Sequence, residues 1–280
     1  MIVASVGDAP ELLCVRDLRV HFPVRSGVLQ RTTGVVRAVD GVSFSVGRGE
    51  TLGLVGESGS GKSTVGRAIL RLIPATDGRV EFAGDDLLAA SGARLRGLRR
   101  RMQIIFQDPA GSLNPRMKIG TIVGEPLRVH GLAPDRDALR GRVRELLARC
   151  GMPGADVQDR YPHEFSGGQK QRICIARTLA TNPEFIVCDE PTSALAVSIQ
   201  AQILNLLQDL RRDLKLSLLL ISHDMGVVRH MCGRIAVMSG GRIVEMGTAD
   251  EVIERPKQPC TRKLLAAVPG ARRVMGSAGM

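Results

Sequence analysis

Apolar residues in this chain follow two rhythms. Short unbroken runs end in glycine or in charge: TLGLVG (Thr51–Gly56), EFIVCDE (Glu184–Glu190) and LSLLLISHD (Leu216–Asp224). Runs of that length without alternation predict strands buried on both faces. Between them, apolar positions recur at helical spacing. Val65, Ala68, Ile69 and Leu72 mark a helix behind the first run, and Ile203, Leu206, Leu207, Leu210 and Leu214 mark an amphipathic helix behind the second. RIAVMSGGRIVEMG predicts a hairpin turning at Gly240-Gly241. Thr248 with Glu251 predicts a capping box at the start of a short helix. Strands alternating with helices predict an α/β fold with a mainly parallel, covered sheet.

Residues 108–165 change character. Pro109, Pro115, Pro126, Pro134, Pro153 and Pro162 punctuate them, with helical pieces such as DALRGRVRELLARC between, and Gly151 suits the end of that helix. This stretch predicts a separate, mostly helical lobe.

Composition narrows the classes. The 280 residues are 44% hydrophobic and 24% charged, which excludes a disordered or fibrous chain. Aromatic residues are 2%, with no Trp and one Tyr, so the core is aliphatic and a stacking platform for single-stranded nucleic acid is disfavoured. The net charge of +11 suits nucleic acid, an anionic membrane surface or a phosphorylated ligand without choosing among them. The densest basic stretch, Arg94 to Arg101, reads as a solvated helical face. Six scattered cysteines form no CxxC pair, which predicts reduced core thiols and no zinc or iron–sulfur site. The opening MIVASVGDAPELL lacks a basic n-region and does not read as a signal peptide. No apolar run reaches the roughly 20 residues that span a bilayer, so membrane work requires other chains to supply the spans.

The chemistry begins where the first run ends. GESGSGKST, comprising Gly56, Glu57, Ser58, Gly59, Ser60, Gly61, Lys62, Ser63 and Thr64, matches G-x-x-x-x-G-K-[ST]. The glycines turn backbone N–H groups inward around phosphate oxygens, Lys62 reaches the β- and γ-phosphates, and the Ser63 hydroxyl ligates Mg²⁺ at a helix N-terminus. The predicted strand before and helix after supply the context that the motif needs. EFIVCDE adds Asp189, placed to hold Mg²⁺ through its water, and Glu190, placed to polarise an attacking water.

Three further strings resemble one family. FSGGQKQR (Phe165–Arg172) resembles the signature of ATP-binding cassette (ABC) ATPases; Gln107 in IIFQDP stands where that family has its Q-loop glutamine, and His223 in LLLISHD where it has its switch histidine. The order and spacing of the motifs agree over nearly the whole chain. The resemblance implies a P-loop NTPase (RecA-like) core with a mainly parallel sheet, an antiparallel β portion and an inserted helical subdomain. The implied bounds are 1–106 and 176–247 for the nucleotide-binding core, 107–175 for the helical signature subdomain, and 248–280 for a C-terminal helix and tail. It further implies a head-to-tail dimer in which ATP lies between one subunit's phosphate loop and Ser166, Gly167, Gly168 and Gln169 of the other. Gln107 then contacts Mg²⁺ and water, His223 contacts the γ-phosphate, and Phe22, in VHFPV, either stacks on adenine or packs into the core. Taken alone, SGGQ also reads as a helix-capping turn and His223 as a strand-end histidine.

QDPAGSLNPRMKIG, RYPHEFSGGQ and the tail KQPCTRKLLAAVP look like the oligopeptide/dipeptide importer subgroup, with Cys260 where that tail usually has an aromatic. The implied function is ATP hydrolysis driving peptide import at the cytoplasmic face of the cell membrane. The implied partners are a second cassette (identical or related), two transmembrane permeases and an external solute-binding protein, with no nucleic acid expected. Stretches Leu113–Gly124 and Tyr161–Glu164 either dock the permeases or pack the lobe's own core. Import of another solute, nickel or glutathione, and a soluble cassette acting on nucleic acid or ribosomes are the alternatives. One position departs from the family: after Glu190 the chain reads PTSALA, with Ala196 where an aspartate usually bridges the two subunits.

Overall fold

The computed structural model of the chain describes residues 11–26 and 31–267. They fall into two compact units, one holding the residues up to Leu95 and from Ser217 on, the other Arg96–Leu216. The first opens with β1 (Glu11–Ser26), β2 (Arg31–Gly47), β3 (Thr51–Val55), α1 (Lys62–Ile69), β4 (Asp77–Phe82) and β5 (Asp85–Asp86). Helix α2 (Gly92–Arg101) carries the chain into the second, which holds β6 (Met102–Ile105), α3 (Ile119–Val129), α4 (Arg136–Arg149), α5 (Gly167–Leu179), β7 (Phe185–Asp189) and α6 (Val197–Leu214). The first unit is completed by β8 (Ser217–Ser222), α7 (Met225–Met231), β9 (Arg234–Ser239), β10 (Arg242–Thr248), α8 (Ala249–Glu254) and α9 (Pro259–Ala266).

In the first unit, β1 pairs antiparallel with β2 and β4, and β5 joins β4. This is the antiparallel portion expected from the family resemblance. Strand β3 runs parallel to both β8 and β9, and β10 folds back antiparallel on β9 with Arg242 opposite Ser239. The turn at Gly240-Gly241 therefore falls where the sequence places it. Every residue of β3 and β8 is buried, which is why their sequences are unbroken apolar runs rather than alternations. Helix α1 lies against β1, β2 and β8, and α7 against β3 and β8. Thr248 and Glu251 form the reciprocal capping box of α8.

In the second unit, β6 and β7 run parallel, in register from Met102 opposite Phe185 to Ile105 opposite Cys188. Helices α3, α4 and α5 pack together, and Ile119, Ile122, Val123, Val143, Leu146, Leu147 and Ile173 on them are buried. Helix α4 stops at Cys150, and Gly151 takes a positive φ of 75° behind it, the left-handed closure that glycine adopts freely. The helical lobe was expected over 107–175; this compact unit is larger and includes β6, β7 and α6.

Candidate functional site

The phosphate loop follows β3 directly. Val55 and Gly56 are buried, and the chain surfaces at Glu57, Ser58 and Gly59 before re-entering at Ser60. Gly61 sits at the N-terminal end of α1 with φ 100°; a Cβ there would run into the Ala38 carbonyl oxygen of β2. Only glycine combines that close approach with that backbone angle. Lys62 is 5% exposed. Its ammonium donates to the carbonyls of Gly56 and Glu57, both at 2.8 Å, and to Ser60 Oγ at 3.4 Å. The cation is thus held over the loop by carbonyl dipoles, which satisfy a charge that would be costly to bury alone.

The loop is braced from outside by the β9–β10 turn. Gly241 N–H donates to the Ser60 carbonyl at 3.1 Å, and Asp40 N–H donates to the Gly241 carbonyl at 2.8 Å. Gly241 has φ 78°, and a Cβ there would lie 2.9 Å from Arg37 O and 3.0 Å from Ala38 O. The sequence marks Gly240-Gly241 as a turn and gives no sign that its second glycine supports the phosphate loop.

The acids come from the second unit. Asp189 ends β7 at 1% exposure, and Glu190 follows, half-buried, with a positive φ of 45°. A non-glycine residue in that region is held there by its surroundings, and such outliers concentrate at functional sites. The Gln107 side-chain amide donates to Glu190 Oε2 at 3.2 Å. The structure therefore brings together two of the residues assigned to water and Mg²⁺.

Ser166 precedes the first residue of α5. Its Oγ accepts from Gln169 N–H at 3.4 Å, and Gln169 Oε1 accepts from Ser166 N–H at 2.9 Å. SGGQ is thus a capping box on an exposed helix start, the turn it resembles when read alone, and it presents the helix's positive end. Two contacts here are hidden from sequence reasoning, which names Gly168 only within the signature and does not single out Gln171. A Cβ on Gly168 would lie 2.5 Å from Ile199 Cγ2 of α6, so that glycine also permits helix packing. Gln171, fully buried, donates its amide to the Pro191 carbonyl at 2.7 Å. It thereby ties the signature helix to the turn that carries Glu190.

Ala196 is the N-cap residue of α6 and offers no side-chain cap. His223 is exposed at the end of β8, ahead of Asp224, whose carboxylate caps α7 by accepting from Gly226 N–H at 2.7 Å. Phe22 lies on β1 opposite Val36, and both are exposed, at 41% and 54%. The core-packing alternative for Phe22 is thereby excluded. The stretch Leu113–Gly124 divides: Leu113, Ile119, Ile122 and Val123 are buried, while Lys118, Gly120 and Thr121 line a cavity of about 570 Å³ with Arg136, Arg140 and Gln158. Tyr161 is exposed and stacks on His163 at 5.7 Å.

Ser63, Asp189 and Gln107 offer a hydroxyl, a carboxylate and an amide oxygen. Each is a hard oxygen donor of the kind Mg²⁺ prefers, and the second unit's Asp189 supplies a carboxylate, the group through which Mg²⁺ is commonly held while it keeps water and substrate phosphate as its other ligands. No group of three or more His, Cys, Asp or Glu placed to hold a metal occurs among the described residues. Among the same residues, no helix is long and apolar enough to cross a membrane.

Comparison with known proteins places these features. The glutathione import ATP-binding protein GsiA of Shigella flexneri is 55% identical over 267 residues, covering 95% of this chain, and that of Escherichia coli K12 matches equally. The chain spans 42% of the length of those relatives. Among solved structures, the ATP-binding cassette MJ0796, a post-hydrolysis dimer bound to ADP and Pi, matches with TM-score 0.74 at 27% identity over 85% of this chain and 98% of that one. CbiO1 of Clostridium perfringens, part of the ABC transporter complex cbiONQ, matches with TM-score 0.73 at 26% identity over 95% of this chain and 98% of that one. Residues 39–193 match the ABC transporter family. The family match over more than half of the chain and these relatives together show that the chain belongs to the ABC transporter family.

Proposed function

We propose that this chain is the ATP-hydrolysing subunit of an importer for small peptides, working at the cytoplasmic face of the cell membrane. The observation that carries the reading is its 55% identity, over 95% of its length, to proteins named for glutathione import. Glutathione is itself a tripeptide, so it belongs to the substrate class that the importer-type strings and tail suggest.

In this reading, Lys62 and the loop amides bind the β- and γ-phosphates, and Ser63, Asp189 and Gln107 serve Mg²⁺. The metal, when bound, neutralises charge that develops on the phosphates. Glu190 accepts a proton from the attacking water, and its partner Gln107 keeps its carboxylate aimed. His223 contacts the γ-phosphate, and Phe22 offers its exposed ring to adenine. Ser166 to Gln169 serve the nucleotide of a second cassette, so the pair closes on ATP and separates after hydrolysis. Two permeases supply the spans and an external binding protein supplies the solute. The cavity lined by Lys118, Thr121, Arg136 and Arg140 is where a permease loop docks on the helical lobe.

The test is a pull-down with a tagged Glu190→Gln variant, ATP and Mg²⁺ from detergent-solubilised membranes. The expected companions are two permeases and a second cassette, identified by mass spectrometry. Loss of glutathione or dipeptide uptake on deleting the gene then names the solute. Ribosomes or nucleic acid without membrane chains would overturn the transport reading.

A further inference from the structure

The phosphate loop contains an acid. Glu57 follows Gly56, and its carboxylate is exposed on a loop whose task is to gather negative phosphates. Left alone, that charge repels the nucleotide. The structure gives it a counter-ion from far along the chain: Lys263 Nζ lies 2.7 Å from Glu57 Oε1.

Lys263 does not arrive there on a loose tail. Its helix, α9, begins behind Gln258 and is anchored by one residue of β10, Glu245. That carboxylate accepts from Lys257 N–H at 2.8 Å, from Gln258 N–H at 3.0 Å and from the Thr261 hydroxyl at 2.5 Å. Thr261 and Leu265 are buried beneath the helix. With α9 fixed, the backbone of Lys263 is already in place beside the loop, and the pair it makes with Glu57 has the strength of an exposed ion pair. Glu57 also accepts the Lys62 ammonium on its backbone carbonyl. One residue therefore links the tail's cation to the cation that serves the phosphates.

We propose that Lys263 is a positioning residue for the nucleotide reaction: it neutralises and steadies Glu57, making the tail helix α9 part of the ATP-binding apparatus. The pairing holds the Glu57 carboxyl below its ordinary range and the Lys263 ammonium above its own, each chiefly through their mutual hydrogen bond. The tail strings that mark the importer subgroup thereby acquire a task in this chain that does not involve the membrane.

The test is a double-mutant cycle read by ATP binding calorimetry on the full chain, at low and high salt (about 0.05 and 0.5 M). Lys263→Ala should raise the Kd for ATP by about two- to five-fold at low salt, the scale of an exposed ion pair, and the effect should fade at high salt. In steady state KM should rise while kcat holds. Lys263→Arg should restore binding. In a Glu57→Gln background, Lys263→Ala should change nothing. An unchanged Kd for Lys263→Ala at low salt, or an equal loss in the Glu57→Gln background, overturns the tail's role alone. The inference rests on the nucleotide reading of the loop, and absence of ATP binding by the unaltered chain overturns both.

Discussion

Gln107 donates its side-chain amide to the Glu190 carboxylate at 3.2 Å. The two residues follow the ends of neighbouring parallel strands, β6 and β7, which are in register up to Ile105 and Cys188. Strand pairing therefore delivers both side chains to one place, and the amide steers the carboxylate that the proposed chemistry uses as base. Glu190→Gln should lower kcat by about 10²- to 10⁴-fold, the usual contribution of general base catalysis, while ATP binding persists. Single-turnover kinetics with a binding titration checks this, and normal turnover would remove Glu190 from its role.

Removing the donor instead should give a milder result. Gln107→Ala leaves Glu190 in place without its guide, and kcat should fall by about tenfold, equivalent to about 1.4 kcal/mol, with KM little changed. A rise in KM at constant kcat would show that Gln107 binds nucleotide rather than orienting Glu190.

Gln171 holds the Pro191 carbonyl from inside the second unit. Gln171→Leu keeps the approximate shape and strands that carbonyl. The cost should be about 1–3 kcal/mol, the penalty of a buried unsatisfied group, seen as a lower urea midpoint. Turnover should drop as well, because the turn bearing Glu190 loses its tie to the signature helix.

Ala196 heads α6 without a capping side chain. Ala196→Ser and Ala196→Asp should each stabilise the helix by about 0.5–2 kcal/mol, measurable as slower amide exchange at its first turn. If the family's inter-subunit aspartate also matters here, only Ala196→Asp raises the ATPase rate of the assembled transporter. Equal rates for alanine, serine and aspartate would confine the position to capping.

Burial pushes the thiols of Cys150 and Cys188 up to about 12, from an ordinary value of 9.0. The folded state keeps both protons in the window where the unfolded chain releases them. Stability is therefore fully present below about pH 9 and should fall as pH rises toward 12, at about 1.4 kcal/mol per pH unit for each thiol. Urea midpoints across pH 9–11 should show a shallower decline for Cys188→Ala than for the unaltered chain. Parallel declines would exclude this thiol as a contributor.

Much of this was legible in the sequence because it depends on local pattern. The runs at Thr51–Val55, Phe185–Asp189 and Ser217–Ser222 are strands because full burial leaves no alternation. The Gly240-Gly241 turn and the Thr248–Glu251 capping box are visible because their residues interact within a few positions. The features that were hidden are contacts between distant segments. Nothing near Gln171 announces Pro191, and nothing near Glu57 announces Lys263. The positive φ of Glu190 is likewise a tertiary imposition on a residue with no left-handed preference.

The brace from Gly241 to Ser60 has a dynamic consequence. The Ser60 carbonyl is held by an amide of the β9–β10 hairpin, so the loop cannot open while that hairpin stays zipped. The two should behave as one cooperative unit in hydrogen exchange, losing protection together rather than in sequence. Occupancy of the loop by nucleotide should then slow exchange across β10, well beyond the residues that touch phosphate. A strand remote in sequence from the phosphate loop becomes a reporter of whether the loop is filled.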